Sequence, residues 1–351
     1  MNPSAYARKR PRLALSALAC ALVLTAAGCG EGPAGDGLAT PPAPPAPAEV
    51  GAVAAQVPAA ATPGPDPTCS DVTASLRPQG TLPEPTALPA GSRMREIRDR
   101  GWLVAGVDQS SYPFGYVDPT DNTLRGFDID LLREVSAAIF GDRRQDRIRF
   151  RVLRNEDRAR AVERGDVDIV AETMTINCDR RKTVDFSSVY FEAGQRVLVQ
   201  KDGKADVADY TGGLPGLPAG MRVCSVQGST SIKLLREQAP QAQEVVGDTW
   251  ADCLVLLQQG TADAITTDDT ILSGLQTQDR IFTVVVGPKI TYEPYGMAIS
   301  KSHPDLVRFV NGVLERLRTN GRWQQLYSTY LGTSLSERTP APPGARYRDE
   351  R

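Results

Sequence analysis

Positions 172–186 read Glu-Thr-Met-Thr-Ile-Asn-Cys-Asp-Arg-Arg-Lys-Thr-Val-Asp-Phe and follow the apolar run 167–171. Thr173 and Thr175 offer hydroxyls at a strand end, Asn177 can cap a helix, and Arg180 stands one turn further on. Hydroxyls, free N–H groups at a helix start and a guanidinium fork together make a seat for one carboxylate. Taken alone, the stretch also fits a capped surface helix with a solvated Arg-Arg-Lys face. A second turn of the same kind, Gly228-Ser229-Thr230-Ser231, follows the strand 221–226 and opens a helix over 232–238. It lacks the lysine and the full glycine pattern of a phosphate loop, and a plain helix cap explains it equally well.

These groups need a scaffold, and the apolar pattern supplies one. A short helix over 94–100 leads to a strand at 102–107, a loop of aromatics and hydroxyls at 108–116, and turn residues at 118–122. Asp128 then reads as the cap of a helix, with Ile129, Leu132, Val135 and Ile139 at helical spacing and Gly141 as its stop; Asp128 and Asp130 are cap and first-turn charge. A strand at 148–153, a helix at 157–164 and the strand 167–171 follow, and the strand 195–200 leaves this unit. In the second unit, Thr249 and Asp252 form a capping box before Cys253, Leu254 and Leu257, and Gly260 ends that helix. A strand at 282–286, a returning segment at 292–299 and helices at 304–317 and 323–331 complete the chain. Strands alternating with helices predict an α/β protein with mainly parallel sheets. Residues 164–172 and 259–267 share one design: a helix end, a Gly, an Asp and a short strand running to polar residues. Two lobes built alike would bring these strand ends to opposite sides of one ligand cleft.

Bulk properties narrow the chemistry. The 351 residues, 41% hydrophobic and 23% charged, allow one large or two modest domains. A formal charge of −2 gives no footing for nucleic acid. With His303 as the single histidine, Ser-His-Asp and Cys-His catalysis are excluded unless His303 itself serves, a His-built zinc site is disfavoured, and no metal or cofactor is implied. Catalysis by carboxylates stays open.

Arg8, Lys9, Arg10 and Arg12 precede an apolar run over 13–27 that is short for a membrane span, and Ala26-Ala27-Gly28-Cys29 has the look of a bacterial lipobox, with Ala26 where Leu is usual. Cleavage before Cys29 removes four basic and no acidic residues and takes the formal charge from −2 to −6. With Cys20 removed and Cys29 acylated, Cys69, Cys178, Cys224 and Cys253 remain in an oxidising compartment. Three pairings are possible; Cys224–Cys253 with Cys69–Cys178 is favoured. The expected organisation is a lipoprotein signal peptide over 1–28, a Pro/Ala-rich tether over 29–67, and a surface segment over 68–91. A first lobe over 92–199 is completed by 289–332, with a second lobe over 200–288 and a flexible tail over 333–351.

Across about 93–331 the chain resembles the family 3 extracytoplasmic solute-binding proteins, polar amino acid receptors of ABC importers, which implies a two-lobe, periplasmic-binding-protein-like α/β fold with the ligand cleft between the lobes. Within that family it is most similar to glutamine- and glutamate-binding lipoproteins of actinobacteria. The resemblance rests on Gly126-Phe-Asp-Ile-Asp130, on Met174-Thr-Ile176 with Arg180 and Val184-Asp-Phe-Ser187, and on Gly228-Ser-Thr-Ser231, Thr267-Asp-Asp269 and Glu293-Pro-Tyr-Gly296. It implies that Arg180, helped by Thr173, Thr175 and Thr230, holds a ligand α-carboxylate, that Asp268 takes the α-ammonium, and that Ser111, Tyr112 and Phe114 line the cleft. Glu172 departs from it, standing where the resemblance implies a basic residue suited to an acidic side chain. Facing the ligand, Glu172 would favour glutamine, asparagine or a cationic amino acid; turned outward or paired with an arginine, it would readmit glutamate and aspartate. The expected function is capture of a polar L-amino acid by lobe closure at the extracytoplasmic face of the cell membrane, for delivery to an ABC permease. The alternatives are an amino-acid sensor read by a membrane signalling protein and an enzyme of the cyclohexadienyl dehydratase type, for which Glu172 is the candidate acid or base.

Overall fold

The structure, a computed structural model, describes residues 69, 71–142, 145–201, 212–332, 335 and 341–349. The expected signal peptide, Cys29 and the tether lie outside these residues, as do 202–211 at the expected start of the second unit.

The first lobe opens with helix α1 (Arg93–Arg100), where the Ser92 hydroxyl accepts the Arg95 N–H and Gly101 closes the helix in the left-handed conformation. Strand β1 (Leu103–Val107) is followed by a meander, β2 (Ser110–Ser111), β3 (Gly115–Asp118) and β4 (Thr123–Arg125). Helix α2 (Phe127–Phe140) is capped by Gly126, not by Asp128 as the sequence suggested. The N–H groups of Phe127 and Asp128 bond to the Pro113 and Phe114 carbonyls at 3.0 Å each, so the helix start needs no side-chain cap and the Asp128 carboxyl turns inward. Then come β5 (Ile148–Val152), α3 (Arg158–Glu163), β6 (Ile169–Val170), α4 (Cys178–Thr183), β7 (Val184–Phe186) and β8 (Phe191–Ala193).

The second lobe runs β9 (Gln195–Gln200), β10 (Arg222–Val226), α5 (Thr230–Gln238), β11 (Gln243–Gly247), α6 (Trp250–Gln258), β12 (Ala264–Asp268), α7 (Asp269–Gln278) and β13 (Thr283–Val286). The expected capping box is present at α6, with Thr249 and Asp252 each bonded to the other's backbone. The chain returns through β14 (Glu293–Tyr295) and β15 (Ala298–Ser300) and ends in α8 (Pro304–Thr319) and α9 (Arg322–Tyr330).

Two five-stranded sheets result, ordered β5-β1-β6-β15-β7 and β11-β10-β12-β9-β13. In each, three adjacent strands are parallel, and the strand that joins the lobes (β15 or β9) lies antiparallel beside them. Chain direction dictates this: a strand arriving from the other lobe enters at the cleft end, where the parallel strands finish. The lobes are joined by an antiparallel ribbon of β8 and β14, with Glu293 opposite Ala193 and Tyr295 opposite Phe191. Helix α8 buries Leu306, Val310, Val313, Leu314 and Leu317 in the first lobe's core. Each such side chain contributes about 1.5–3 kcal/mol relative to exposure.

Disulfides join Cys69 to Cys178 and Cys224 to Cys253. The first ties the N-terminal segment to α4 and the second ties β10 to α6. The tail expected to be loose is held over 341–349. Ser75 N–H bonds to the Arg346 carbonyl and Arg348 N–H to the Ser75 carbonyl, both at 2.9 Å, while Tyr347 Oη donates to Glu315 at 2.6 Å and Asp349 pairs with Arg308. A stretch rich in Pro and Gly shows no periodicity, yet it docks through backbone bonds that any sequence can make.

Candidate functional site

The carboxyl ends of β6, β10 and β12 meet at a narrow cavity of about 10 Å³ between the lobes, the place where open α/β sheets collect ligands. From the first lobe, Asn155, Arg158, Thr173, Thr175 and Arg180 line it; from the second, Ser229, Thr230, Ser231, Trp250, Thr267, Asp268 and Ile271 do so. The lobes touch around it. A Cβ on Gly274 of α7 would run into the Tyr112 carbonyl, and one on Gly228 would come within 2.6 Å of the Glu156 backbone. Arg180 Nη2 donates to the Gly228 carbonyl at 3.2 Å across the gap. Two exposed ion pairs, Arg154 with Asp248 and Lys233 with Asp179, also cross it, though exposed pairs contribute little.

Arg180 enters from α4, whose start is capped by Asn177 accepting the Arg180 N–H at 2.9 Å. Its Nη1 donates to the Thr175 carbonyl at 2.7 Å. Burial, and then the positive charge of Arg158, lower its pKa. Thr173 has φ of +43°, a left-handed backbone that costs a β-branched residue about 1–2 kcal/mol. What holds it there is the buried Asp128, whose Oδ2 accepts the Thr173 N–H at 2.8 Å. Burial raises the Asp128 carboxyl to about 7, opposed by the Thr173 N–H and the nearby Tyr190 hydroxyl.

Asp268, the last residue of β12, is 4% exposed. Its Oδ2 accepts the Tyr295 hydroxyl at 2.6 Å, while Oδ1 has no hydrogen-bond partner among the described residues. Burial, with Glu293 close by, pushes its carboxyl well above the usual range. On the ribbon itself, Glu293 Oε2 accepts two hydroxyls, Thr175 Oγ1 at 2.6 Å and Thr230 Oγ1 at 2.9 Å.

Glu172 pairs with an arginine. Its Oε1 lies 3.9 Å from Arg158 Nε, and its backbone carbonyl accepts Arg158 Nη1 at 2.7 Å. Neither carboxylate oxygen has a hydrogen-bond partner among the described residues. Burial raises its pKa well above the usual value, against the pull of Arg158 and with the added repulsion of Asp108 and Asp128. Arg158, not Glu172, is the member of the pair that lines the cavity.

Three expected lining residues are not among those that line this narrow cavity. Phe114 is fully buried in an aromatic cluster, edge-on to Phe127, Phe191 and Tyr295; the docking of α2 on its backbone draws it into the core. Ser111 donates its hydroxyl to Asp108. Tyr112 packs edge-on against Tyr116 at 4.9 Å, and its carbonyl abuts Gly274. The residues that sequence reasoning missed are Asn155, Arg158, Trp250 and Ile271, which carry no motif, and Glu293, which was visible only as part of Glu-Pro-Tyr-Gly. A wider hollow beside the ribbon is lined by Phe191, Arg196, Lys289 and Tyr292 among others, and among the described residues none that lines it carries an orphaned carboxylate oxygen, as Asp268 of the cleft does.

A bilobal α/β fold with polar and ionisable side chains of both lobes converging on one cleft is the architecture of a solute-binding protein. The chain belongs to the bacterial extracellular solute-binding proteins, family 3, whose profile matches residues 103–333. It is 34% identical over 241 residues to the ABC transporter glutamine-binding protein of Bacillus subtilis, covering 69% of this chain and 85% of that protein. To the glutamate-binding protein of Corynebacterium glutamicum it is 33% identical over 252 residues, covering 69% and 83%. Among solved structures, an ancestral amino acid-binding protein described as a precursor of cyclohexadienyl dehydratase superposes with a TM-score of 0.61 at 30% identity, covering 68% of this chain and 99% of that one. These relatives are named for binding, not for turnover.

Proposed function

We propose that the chain captures the zwitterion of a polar L-amino acid (glutamine, glutamate or aspartate) between its lobes and presents it to the permease of an ABC importer. The observation that carries this reading is the placing of a guanidinium and an unpartnered carboxyl oxygen on separate lobes. Arg180 on the first can meet an α-carboxylate, and the unpartnered Asp268 Oδ1 on the second can meet an α-ammonium. A ligand that satisfies both gains most when the lobes are together, so binding favours closure. Arg158 supports a ligand side chain that ends in an amide or carboxylate, because Glu172 is held beside that guanidinium and does not line the cavity. Lipobox-like residues at 26–29 support an anchor on Cys29 at the extracytoplasmic face of the membrane.

The test is thermal unfolding of the purified chain with each of the twenty L-amino acids at millimolar concentration. A ligand present at a thousand times its Kd stabilises the native state by about 4 kcal/mol, which raises Tm by several degrees. A shift confined to glutamine, glutamate or aspartate is expected. No shift with any of the twenty refutes the reading, and a shift with cationic amino acids alone refutes the role given to Arg158.

A further inference from the structure

Glu293 lies on the ribbon between the lobes, is 4% exposed, and receives one hydroxyl from each lobe on the same oxygen. Its place is fixed. Residues 174–176 pair with the ribbon through Ile176 N–H to the Pro294 carbonyl at 2.8 Å and Gly296 N–H to the Met174 carbonyl at 3.1 Å. A carboxylate only accepts hydrogen bonds, and a threonine hydroxyl has one proton to give. With that proton committed to Glu293, the lone pairs of Thr175 Oγ1 and Thr230 Oγ1 remain for whatever enters the cavity that both residues line. Asp268 lines the same cavity; its Oδ1 is buried without a partner among the described residues, and its Oδ2 is taken by Tyr295 of the same ribbon strand.

We infer that Glu293 is a positioning residue that turns the Thr175 and Thr230 hydroxyls into acceptors, so that with Asp268 they form a site for the three N–H donors of a primary ammonium. The inference rests on the proposed amino-acid function and reassigns both threonines, which the sequence had given to the ligand carboxylate. The carboxylate is left to Arg180 and to backbone N–H groups at the start of α5. Because Thr175 and Thr230 come from different lobes, the double acceptor exists only when the lobes are together. The ligand's ammonium is therefore recognised by the closed arrangement.

The experiment is calorimetric titration of the full chain with L-glutamine, L-glutamate and L-aspartate and with their amine-free counterparts, glutaramate, glutarate and succinate. The readout is the ratio of the two affinities in each pair. Glu293→Met releases both hydroxyl protons, and Thr230→Val removes one acceptor. Each is expected to weaken the amino acid by about 10- to 150-fold, the worth of a hydrogen bond to a charged group, while the amine-free acid holds or improves, so the ratio collapses. Glu293→Gln and Thr230→Ser are expected to keep the ratio, because a carboxamide oxygen still accepts both hydroxyls and serine keeps its own. Should Glu293→Met fail to fold, the Thr230→Val and Thr230→Ser pair decides. A ratio unchanged in Glu293→Met and Thr230→Val, or both ligands weakened by the same factor, overturns the inference and leaves the amino-acid function standing. Wild-type protein that binds none of the three amino acids overturns both.

Discussion

Asp268→Asn should lower ligand affinity and raise the stability of the ligand-free protein, two effects that a merely damaging substitution does not produce together. The side chain is buried, with Oδ2 bonded to Tyr295 at 2.6 Å and Oδ1 without a partner. Asparagine has the same shape and can keep its oxygen toward Tyr295, but it places an NH₂ donor where the lone acceptor stood. An ammonium then meets a donor in place of an anion. Removing one partner of a buried charge pair costs about 2–5 kcal/mol, so the Kd for the preferred amino acid should rise at least about 30-fold. Stability moves the other way. Burial, reinforced by Glu293, holds the Asp268 carboxyl well above its ordinary value, so the native state binds a proton that the unfolded chain releases near pH 4. The stability linked to that proton is complete below about pH 4 and is lost as the pH rises toward and through the folded value. Asparagine cannot lose a proton, so the variant should melt higher than wild type at pH 8, with the advantage shrinking toward pH 4. Titration calorimetry gives the first effect, and ligand-free melts at pH 4, 6 and 8 give the second. A Kd within about threefold of wild type, or a lower Tm at every pH, would falsify the assignment of Asp268.

Asp128, raised to about 7 from 3.8, should make wild-type stability fall between about pH 4 and 7 by an amount of order 4 kcal/mol at most. In urea melts, Asp128→Asn should flatten that slope while still accepting the Thr173 N–H. Gly274→Ala places a methyl against the Tyr112 carbonyl and should hold the lobes apart. The expected signature is a Kd raised roughly tenfold or more with ligand-free stability little changed, because only the closed population is penalised. Removing the Cys224–Cys253 bridge, whose sequence separation is 29, should cost about 3–4 kcal/mol on the loop-entropy account, read from the midpoint of a denaturant melt.

The sequence made some of this legible and hid the rest for physical reasons. Asn177 as a cap, the Thr249–Asp252 box and the apolar stripe of α8 were readable because each is local and repeats at helical spacing. β11 was not, since four of its five residues lie outside the core and carry no alternation. Arg180, Thr175, Thr230 and Asp268 were readable because they sit at strand ends and helix starts, where backbone and side-chain donors concentrate. The polar wiring beneath them was not. Asp128 looks like a helix cap from its neighbours alone, and only the docking of α2 on Pro113 and Phe114 frees it to reach Thr173, 45 residues away in sequence. Arg158 and Glu172 are 14 residues apart and form a pair only once α3 and β6 are packed. Glu293 bonds to Thr175 and Thr230, 118 and 63 residues away, and no local pattern encodes that meeting.

The most direct measurement of the central claim, that two lobes supply opposite charges for one zwitterion, is calorimetric titration of the wild-type chain. L-Glutamine, L-glutamate and L-aspartate would each be compared with an analogue lacking the carboxylate and one lacking the ammonium. Saturable binding of at least one amino acid at one site per chain, with both truncated analogues weakened by about 30-fold or more, is the expected result. An analogue missing either charge that binds as tightly as the intact amino acid would contradict the account.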